Sequence, residues 1–148
     1  MATRPDPERL AVWNAFLAAH ANITTKLAAD LLGERDITMA WFDTLTALAA
    51  AGGRLRMREL AERLGANKSS LSRQVDRMEE EGLLERLEVA DDARGQLAVL
   101  TREGRDVLRR ATPFQLKGVQ REFAQHLTDS DVVALQRVLG KLVPPTEA

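Results

Sequence analysis

The stretch Leu60–Glu80 constrains the fold of this chain most strongly, because two short apolar faces at helical spacing flank a glycine. The first face consists of Leu60, Ala61 and Leu64, and the second of Leu71, Val75 and Met78. Apolar residues three and four positions apart lie on one side of a helix, and Gly65 between the two faces interrupts it. The stretch therefore predicts a helix, a tight turn and a second helix.

The second predicted helix is polar on the side away from its apolar face. That side carries Ser69, Arg73, Asp76 and Glu80, with Ser70, Ser72 and Arg77 on its flanks. Hydroxyl groups and arginines near the start of a helix are typical of helices that enter the major groove of DNA. A solvated face with an Arg73–Asp76 ion pair is the alternative that this pattern leaves open.

A β-hairpin is predicted directly after this helix. Gly82 ends the helix, Leu83–Val89 and Gln96–Leu100 have the pattern of strands, and the charged sequence between them ends in Gly95. Two strands joined by a polar loop that contains glycine are typical of a hairpin. The order helix, turn, helix and hairpin predicts a winged helix-turn-helix, which is a mostly α fold with a small β component (α+β).

Residues 56–105 resemble the multiple-antibiotic-resistance regulator (MarR) family of bacterial transcription regulators. The resemblance rests on the order and spacing of Glu59–Ala61 with Leu64-Gly65, Ser72–Glu79, Gly82–Arg86, Asp92–Gly95 and Leu100–Gly104. The chain departs from the family pattern at Ala93, where the family is often basic, and near Met57, where a helix begins without a capping residue. The resemblance implies a DNA-binding homodimer, and relatives commonly release DNA when they bind a small molecule.

Composition excludes several classes of protein. The chain has 148 residues, of which 45% are hydrophobic, and this is enough to bury the core of one domain. Because Cys is absent, disulfides, thiolate zinc sites and cysteine-based redox sensing are excluded. No apolar run approaches the roughly 20 residues that span a bilayer, and the N-terminus has no signal-peptide core. We therefore expect a soluble, cytoplasmic protein with no membrane partner.

Positive charge is concentrated on the predicted helix-turn-helix. The whole chain has a net charge of −1, whereas residues 54–77 contain seven basic and three acidic residues, a local net charge of +4. Binding to the DNA backbone depends on such local positive charge. A patch of this modest size fits a protein that reads a double-stranded DNA sequence better than one that coats DNA.

Helices are also predicted on both sides of the winged helix-turn-helix. An apolar stripe over Glu8–Leu32 stops at Gly33, and Thr38 is the predicted N-cap of a helix that stops at Gly52. After the hairpin, Thr101 opens a helix that runs towards His126 and is kinked by Pro113. The last helix is capped by Thr128–Asp131 and ended by Pro144 and Pro145.

One domain is expected over residues 1–148, with the DNA-binding region at 38–101. The core of one DNA-binding head does not need the flanking helices at residues 8–32 and 103–143. We therefore predict that they form an isologous dimer interface, which would set two heads about 34–36 Å apart on successive major grooves. The alternative is that these helices close a monomeric bundle.

The residues predicted to contact DNA lie on the second helix and at the hairpin tip. On the helix they are Lys68, Ser69, Ser70, Ser72, Arg73 and Arg77. We expect Ser70 and Arg73 to contact bases and Lys68 and Arg77 to contact phosphates, with Asp76 orienting an arginine. At the tip, Arg94 is predicted to enter the minor groove while Asp92 supports its guanidinium. An ordinary polar turn is the alternative for the tip.

A ligand pocket is predicted where an aromatic-lined cleft would contain one or two polar groups. Its residues are Trp13, Phe16, His20 and Trp41. Such a cleft suits a small, aromatic or phenolic effector. The alternative is that His20 is buried in a dimer interface with a backbone carbonyl as its partner. No catalytic residue, metal site or cofactor is predicted, because phosphate-binding loops, nucleophile motifs and ligand clusters are missing from the sequence.

These patterns and the resemblance together predict a homodimeric transcription regulator that binds a pseudo-palindromic operator as a repressor, and the resemblance implies that a small effector releases it. Two other hypotheses remain open. In one, the chain is a DNA-binding regulator without a small-molecule ligand. In the other, the winged helix is a protein-interaction module that no longer binds DNA, which the near-neutral net charge permits.

Overall fold

The computed structural model describes residues 3–89 and 92–143, with no side-chain description for residues 92–94. These ranges contain a mostly helical fold with one small antiparallel sheet. The helices are α1 Pro7–Arg35, α2 Met39–Ala50, α3 Met57–Leu64, α4 Lys68–Glu80, α5 Arg102–Glu122 and α6 Asp129–Leu139, with a short 3-10 helix at Ala124–His126. The strands are β1 Arg54–Arg56, β2 Leu84–Val89 and β3 Asp92–Leu100.

The chain divides into two compact units. One consists of residues 28–115 and contains the sheet together with α2, α3 and α4. The other consists of the segments 1–27 and 116–148, of which the described part holds most of α1, the end of α5 and α6. The helix-turn-helix and the hairpin thus belong to a single unit.

The three strands pair in the order β1, β3, β2, all antiparallel. The predicted hairpin is β2 and β3, in which Leu84 pairs with Leu100 and Arg86 with Ala98, and the register shifts at Val89. Strand β1 was not predicted. Its three residues place only Leu55 between two arginines, which is too short for a period of two to be recognised in the sequence.

The core of the 28–115 unit is built from the apolar faces that the helix-turn-helix pattern predicts. Leu60, Leu71, Val75 and Met78 are all buried, with at most 3% of their surface exposed. They pack in one cluster with residues of α2, the sheet and α5, including Leu45, Leu48, Leu84, Ala98 and Ala111. Burying a side chain of this size stabilises the fold by about 1.5–3 kcal/mol, so this cluster determines how α3 and α4 pack.

The prediction that α1 stops at Gly33 is wrong, since the helix continues to Arg35. The added turn brings the Arg35 guanidinium to 5.0 Å from the centre of the Phe114 ring. A cation–π contact stabilises by about 0.5–1 kcal/mol, which offsets the similar cost of a glycine inside a helix. Asp36, with a left-handed φ of 52°, ends the helix instead and is followed by the buried Ile37.

The other predicted helix ends are confirmed in part. Thr38 caps α2, and the hydroxyl of Thr101 accepts a hydrogen bond from the Gly104 amide at 3.0 Å. Helix α5 continues through Pro113 but ends at Glu122, short of His126. Thr128 and Asp131 form the predicted capping box of α6. That helix ends at Leu139, while Pro144 and Pro145 lie outside the described residues.

The unit formed by residues 1–27 and 116–148 has very little interior. Among its described residues only Leu27 and Gly118 are buried, and a side chain at Gly118 would meet Leu27 at 2.7 Å. At its surface Glu122 accepts a hydrogen bond from Arg121 and lies 3.5 Å from Lys26. The bond from Arg121 is the main reason that the pKa of Glu122 is lowered. None of the helices in residues 3–89 and 92–143 has the length and apolar composition of a transmembrane segment.

Two glycine substitutions are expected to change stability in opposite directions. At Gly33 an added Cβ would meet open space, so Gly33→Ala should stabilise by about 0.5–1 kcal/mol. At Gly104 the Cβ would lie 2.0 Å from the Leu83 carbonyl oxygen, so Gly104→Ala should destabilise by about 1–3 kcal/mol. Urea denaturation followed by circular dichroism at one protein concentration measures both changes. A loss of stability in both variants would contradict the open space for a Cβ at Gly33.

Candidate nucleic-acid interface

Helix α4 begins with an asparagine cap that fixes its first turn. The Asn67 Oδ1 accepts hydrogen bonds from the amides of Ser69, at 2.9 Å, and Ser70, at 3.4 Å. The same oxygen accepts a bond from the Ser69 hydroxyl at 2.6 Å. Gly65, with a φ of 59°, ends α3 two residues earlier, so the turn between the helices is short. Asn67 was missed in the sequence, although asparagine before an apolar stripe is a usual start signal.

The residues predicted to contact DNA lie largely on the exposed side of α4. Exposed side chains are those of Lys68, Ser69, Ser70, Arg73 and Arg77, whereas Ser72 is half-buried. Among the side chains that the structure describes, Arg73 and Arg77 form no ion pair with an acidic residue. The exposed side therefore carries two arginines without acidic partners. Of its hydroxyl groups, that of Ser69 bonds to Asn67, while that of Ser70 has no hydrogen-bond partner among the described residues.

Asp76 pairs with Arg86 of β2, and its Oδ1 lies 2.7 Å from the Arg86 Nη2. The expected role of Asp76 in orienting an arginine is thus met by a partner ten residues further along the chain. The alternative interpretation of the α4 surface expected Asp76 to pair with Arg73, whereas the structure pairs it with Arg86. The Asp76 carboxylate is consequently engaged with the hairpin.

Arg86 makes further contacts that connect α4 to the sheet. Its Nη2 donates to the Ser72 carbonyl oxygen at 2.5 Å and to the Ser72 Oγ at 3.1 Å, and its Nη1 donates to the Gln96 Oε1 at 2.8 Å. The side chain is only 15% exposed. Its buried Nε has no hydrogen-bond partner among the described residues. Sequence reasoning missed these roles, because no local periodicity signals partners ten and fourteen residues away.

A second polar contact joins α4 to α2 inside the core. The Gln74 Nε2 donates to the Thr44 Oγ1 at 2.6 Å, and the Thr44 hydroxyl donates to the Ala40 carbonyl oxygen at 2.8 Å. Thr44 is completely buried, so both of its bonds replace water. Buried polar groups that are fully hydrogen-bonded specify one packing arrangement, and this pair fixes the rotation of α4 against α2.

A basic cleft lies between the start of α4 and the sheet. Its volume is about 390 Å³, and its lining includes Arg56, Arg58, Lys68, Arg86 and Gln96. A smaller cavity of about 190 Å³ on the α2 side of the helix is lined by Asp43, Ser70 and Gln74. Partial burial raises the pKa of Asp43. No group of three or more His, Cys, Asp or Glu residues that could hold a metal occurs in the described part of the chain.

Comparison with known proteins identifies the family. A sequence model described as MarR family matches residues 35–95. The chain is similar to AbsC, a MarR family transcriptional regulator from Streptomyces coelicolor, with 30% identity, 95% of each chain covered and a TM-score of 0.85. The chain belongs to the MarR family of transcription regulators.

Further MarR relatives cover nearly the same length. The crystal structure of Sco3205, a MarR family regulator from Streptomyces coelicolor in complex with DNA, has 30% identity and a TM-score of 0.84, covering 99% of this chain and 95% of that one. Multiple antibiotic resistance protein MarR of Salmonella typhimurium is 29% identical over 119 residues, 80% of this chain and 82% of that protein. The predicted MarR resemblance and winged helix-turn-helix are confirmed, and the chain is a DNA-binding regulator, not an enzyme.

In the MarR fold, β2 and β3 are the wing. The backbones of Asp92 and Arg94 belong to β3, but their side chains lie outside the described ones. Their expected roles in minor-groove contact stay predictions. Gln96, which follows Gly95 in β3, accepts a hydrogen bond from Arg86 of β2, and Arg86 in turn contacts α4.

The four residues of the predicted ligand pocket are divided between the two units. Trp13, Phe16 and His20 form a row on α1, with ring centroids 6.2 Å and 6.5 Å apart. Trp13 and Phe16 are 53% and 47% exposed, so their rings are open to a partner or a ligand. Trp41 belongs to the 28–115 unit, where it is half-buried against the core. The pocket itself stays a prediction.

We expect the cap at Asn67 to be measurable in stability. Asn67→Ala removes the acceptor of two backbone amides and should destabilise by about 1 kcal/mol, whereas Asn67→Ser keeps a cap and should cost only a few tenths. Thr38→Ala, at the cap of α2, provides a comparison of similar size. Urea midpoints of the three variants at equal protein concentration test this order. Equal stability of the Ala and Ser variants at position 67 would argue against the cap.

Proposed function

We propose that this chain is a homodimeric repressor that binds a pseudo-palindromic operator through α4 and the wing of each protomer. The observation that carries the proposal is the exposed side of α4, where arginine and hydroxyl groups without acidic partners stand beside a capped helix start. Sco3205, which has the same fold, is a MarR family regulator in complex with DNA. The same class of contact is therefore inferred here.

Within α4 the proposed contacts divide by position. Ser70 and Arg73 reach bases, because they lie in the first two turns and arginine forms two hydrogen bonds with guanine. Lys68 and Arg77 bind phosphates. Ser69 is also proposed to contact DNA, although its hydroxyl donates a hydrogen bond to Asn67. Ser72 is least available, since its hydroxyl accepts a bond from Arg86.

The wing is proposed to act beside the helix. Arg94 enters the minor groove that flanks the half-site, where narrow tracts attract arginine, and Asp92 supports the guanidinium. The basic cleft between α4 and the sheet extends the positive surface towards the wing. Contacts in two grooves would make binding depend on DNA shape as well as on base edges.

The proposal of a dimer rests on the apolar surface of the unit formed by residues 1–27 and 116–148. Twelve of the fourteen exposed large apolar side chains among the described residues belong to this unit. They include Trp13 and Phe16 on α1, Phe123 near the end of α5 and Val138 on α6. A surface of this kind is unusual on a monomer, and a second copy of the same face would cover it symmetrically.

Repression with release by an effector needs only two states of such a dimer. A small aromatic or phenolic molecule that binds one head spacing better than the other by about 1–3 kcal/mol would change DNA affinity by 5–150-fold. The row of Trp13, Phe16 and His20 supplies aromatic surface for such a ligand, and Trp41 is the fourth residue of the proposed pocket. A panel of aromatic acids and phenols added to the bound complex tests for release.

The first experiment is a fluorescence anisotropy titration of the protein against the duplex upstream of its own gene and a scrambled duplex, at two salt concentrations. We expect tight, salt-sensitive binding with about a thousandfold preference for the upstream duplex. Equal weak binding to both would lead to a selection from random duplexes. No preference and no salt dependence in that selection would favour a protein-interaction module.

Substitution of Arg73 should separate base contact from general charge. Arg73→Ala is expected to weaken binding to the preferred duplex by about tenfold or more, because a bidentate arginine–base pair contributes about 1–3 kcal/mol. Arg109→Ala is the matched control, since Arg109 is an exposed arginine on α5. Both variants are titrated against both duplexes. Equal affinities of the two variants would count against a base contact by Arg73.

Substitution of Val138 should separate a dimer from a monomer. Val138→Lys adds a positive charge to the apolar face, and a cation near the C-terminus of α6 is compatible with the helix dipole. We expect this variant to be a monomer at micromolar concentration. Leu87→Lys is the control, because Leu87 is similarly exposed, at 48% against 42%, but lies in the wing. Sedimentation velocity distinguishes the outcomes. A wild-type chain that sediments as a monomer would instead favour the closed monomeric bundle.

A further inference from the structure

The Arg86 side chain connects the two DNA-facing elements of the head through one guanidinium group. It is carried by β2, and it binds Ser72 and Asp76 on α4 and Gln96 on β3. The guanidinium forms four contacts with these residues, each at 3.1 Å or less. The guanidinium therefore links the middle of α4 to both strands of the wing, and movement of either element would break several bonds together.

The electrostatic setting of Arg86 differs from that of the arginines proposed to contact DNA. Its side chain is 15% exposed and faces a carboxylate, whereas Arg73 and Arg77 are exposed and have no acidic partner among the described side chains. The Asp76 charge offsets the charge of Arg86, so little net attraction for phosphate remains. The planar guanidinium is also oriented, because its donors are directed at three different residues.

We propose that Arg86 is a positioning residue which, anchored by Asp76, fixes the wing relative to α4 so that both engage one DNA duplex. The inference rests on the proposed DNA binding and deepens it. Its effect is on specific binding, since only a complex that uses both grooves requires a fixed spacing between helix and wing. Non-specific binding depends on charge and tolerates a looser head.

The Glu79 carboxylate supports the same junction from the end of α4. Its Oε2 accepts a hydrogen bond from the Arg86 amide at 2.7 Å, so both the backbone and the side chain of Arg86 are held by this helix. Gln74, two residues after Ser72, connects another side of α4 to α2 through its bond to Thr44. The helix is thus held between α2 and the wing by polar contacts in addition to apolar packing.

Asp76→Ala distinguishes positioning from charge by the sign of its effect. The substitution removes a negative charge beside the proposed DNA surface and raises helix propensity, so charge and helix stability alone predict tighter binding. Loss of the anchor of Arg86 predicts weaker binding to the preferred duplex. Asp106→Ala is the matched control, because Asp106 forms an Asp–Arg pair with Arg109 on α5, with 2.6 Å between the charged groups.

Arg86→Lys is the second variant, since lysine keeps the charge but cannot direct several donors at different residues. We expect it to weaken binding to the preferred duplex at least tenfold, with affinity for the scrambled duplex within twofold of wild type and an unchanged salt slope there. Arg109→Lys is its control. The four variants are titrated as full-length chains against both duplexes over several salt concentrations, after urea denaturation has shown that each is folded.

The outcomes separate the possible roles. A positioning role for Arg86 is supported if Asp76→Ala and Arg86→Lys both weaken binding to the preferred duplex and leave the affinity for the scrambled duplex unchanged. Wild-type affinity of Arg86→Lys for the preferred duplex, or tighter binding by Asp76→Ala, overturns the positioning role. In an additional Arg86→Gln variant, a uniform loss on both duplexes with a salt slope reduced by about one per contact would instead identify Arg86 as a phosphate ligand, which also overturns positioning.

A measurement without DNA keeps the inference distinct from the proposed function. Amide hydrogen exchange should accelerate in β2 and β3 of the Arg86→Lys protein, while α2 amides around Leu45 and Leu48 stay protected as in wild type. A wild-type chain that prefers no duplex would refute the proposed function, and the exchange result would still decide whether Arg86 fixes the wing. Unchanged exchange throughout the wing would overturn the inference.

Discussion

Burial of the Leu71, Val75 and Met78 side of α4 orients the surface on which the proposed DNA contacts depend. These three side chains lie in the core with 3%, 0% and 0% of their surface exposed. A helix whose apolar side is held in this way cannot rotate without losing several kcal/mol of burial, so its other side has a defined direction. The bond from Gln74 to the buried Thr44 adds a directional contact to this packing. Arg73 and Ser70 are consequently presented by a rigid element.

The two units differ in how much of their apolar surface the single chain buries. The 28–115 unit has a continuous core, whereas the described part of the other unit buries only Leu27 and Gly118. A helix pair or trio with so little interior gains little from packing, because hydrophobic stabilisation scales with the area removed from water. Association through this surface, as in the proposed dimer, would therefore add burial that the single unit lacks. The DNA-binding head does not share this dependence.

Much of the head could be predicted from the sequence because its signals are local. The two apolar faces around Gly65 and the hairpin between Leu84 and Leu100 depend on residues a few positions apart, and both are confirmed. The Asp76–Arg86 pair could not be predicted, since it arises only when the wing packs against α4. The end of α1 was wrongly predicted at Gly33 because a tertiary contact, Arg35 over Phe114, offsets the cost of a glycine inside the helix. Strand β1 was too short to carry a pattern.

The separation of structural from exposed positions along α4 has a consequence for evolution. Several residues of α4 pack in the core or form polar contacts with α2 and the wing, namely those at positions 71, 74, 75, 76 and 78. The side chains of Ser70, Arg73 and Arg77 form no such contacts in the described structure. Substitutions at exposed sites of this kind usually change stability by less than about 0.5 kcal/mol. With the proposed DNA contacts, lineages that descend from such a chain can therefore acquire new target sequences by changing the exposed residues, while selection for folding keeps the rest of the helix constant.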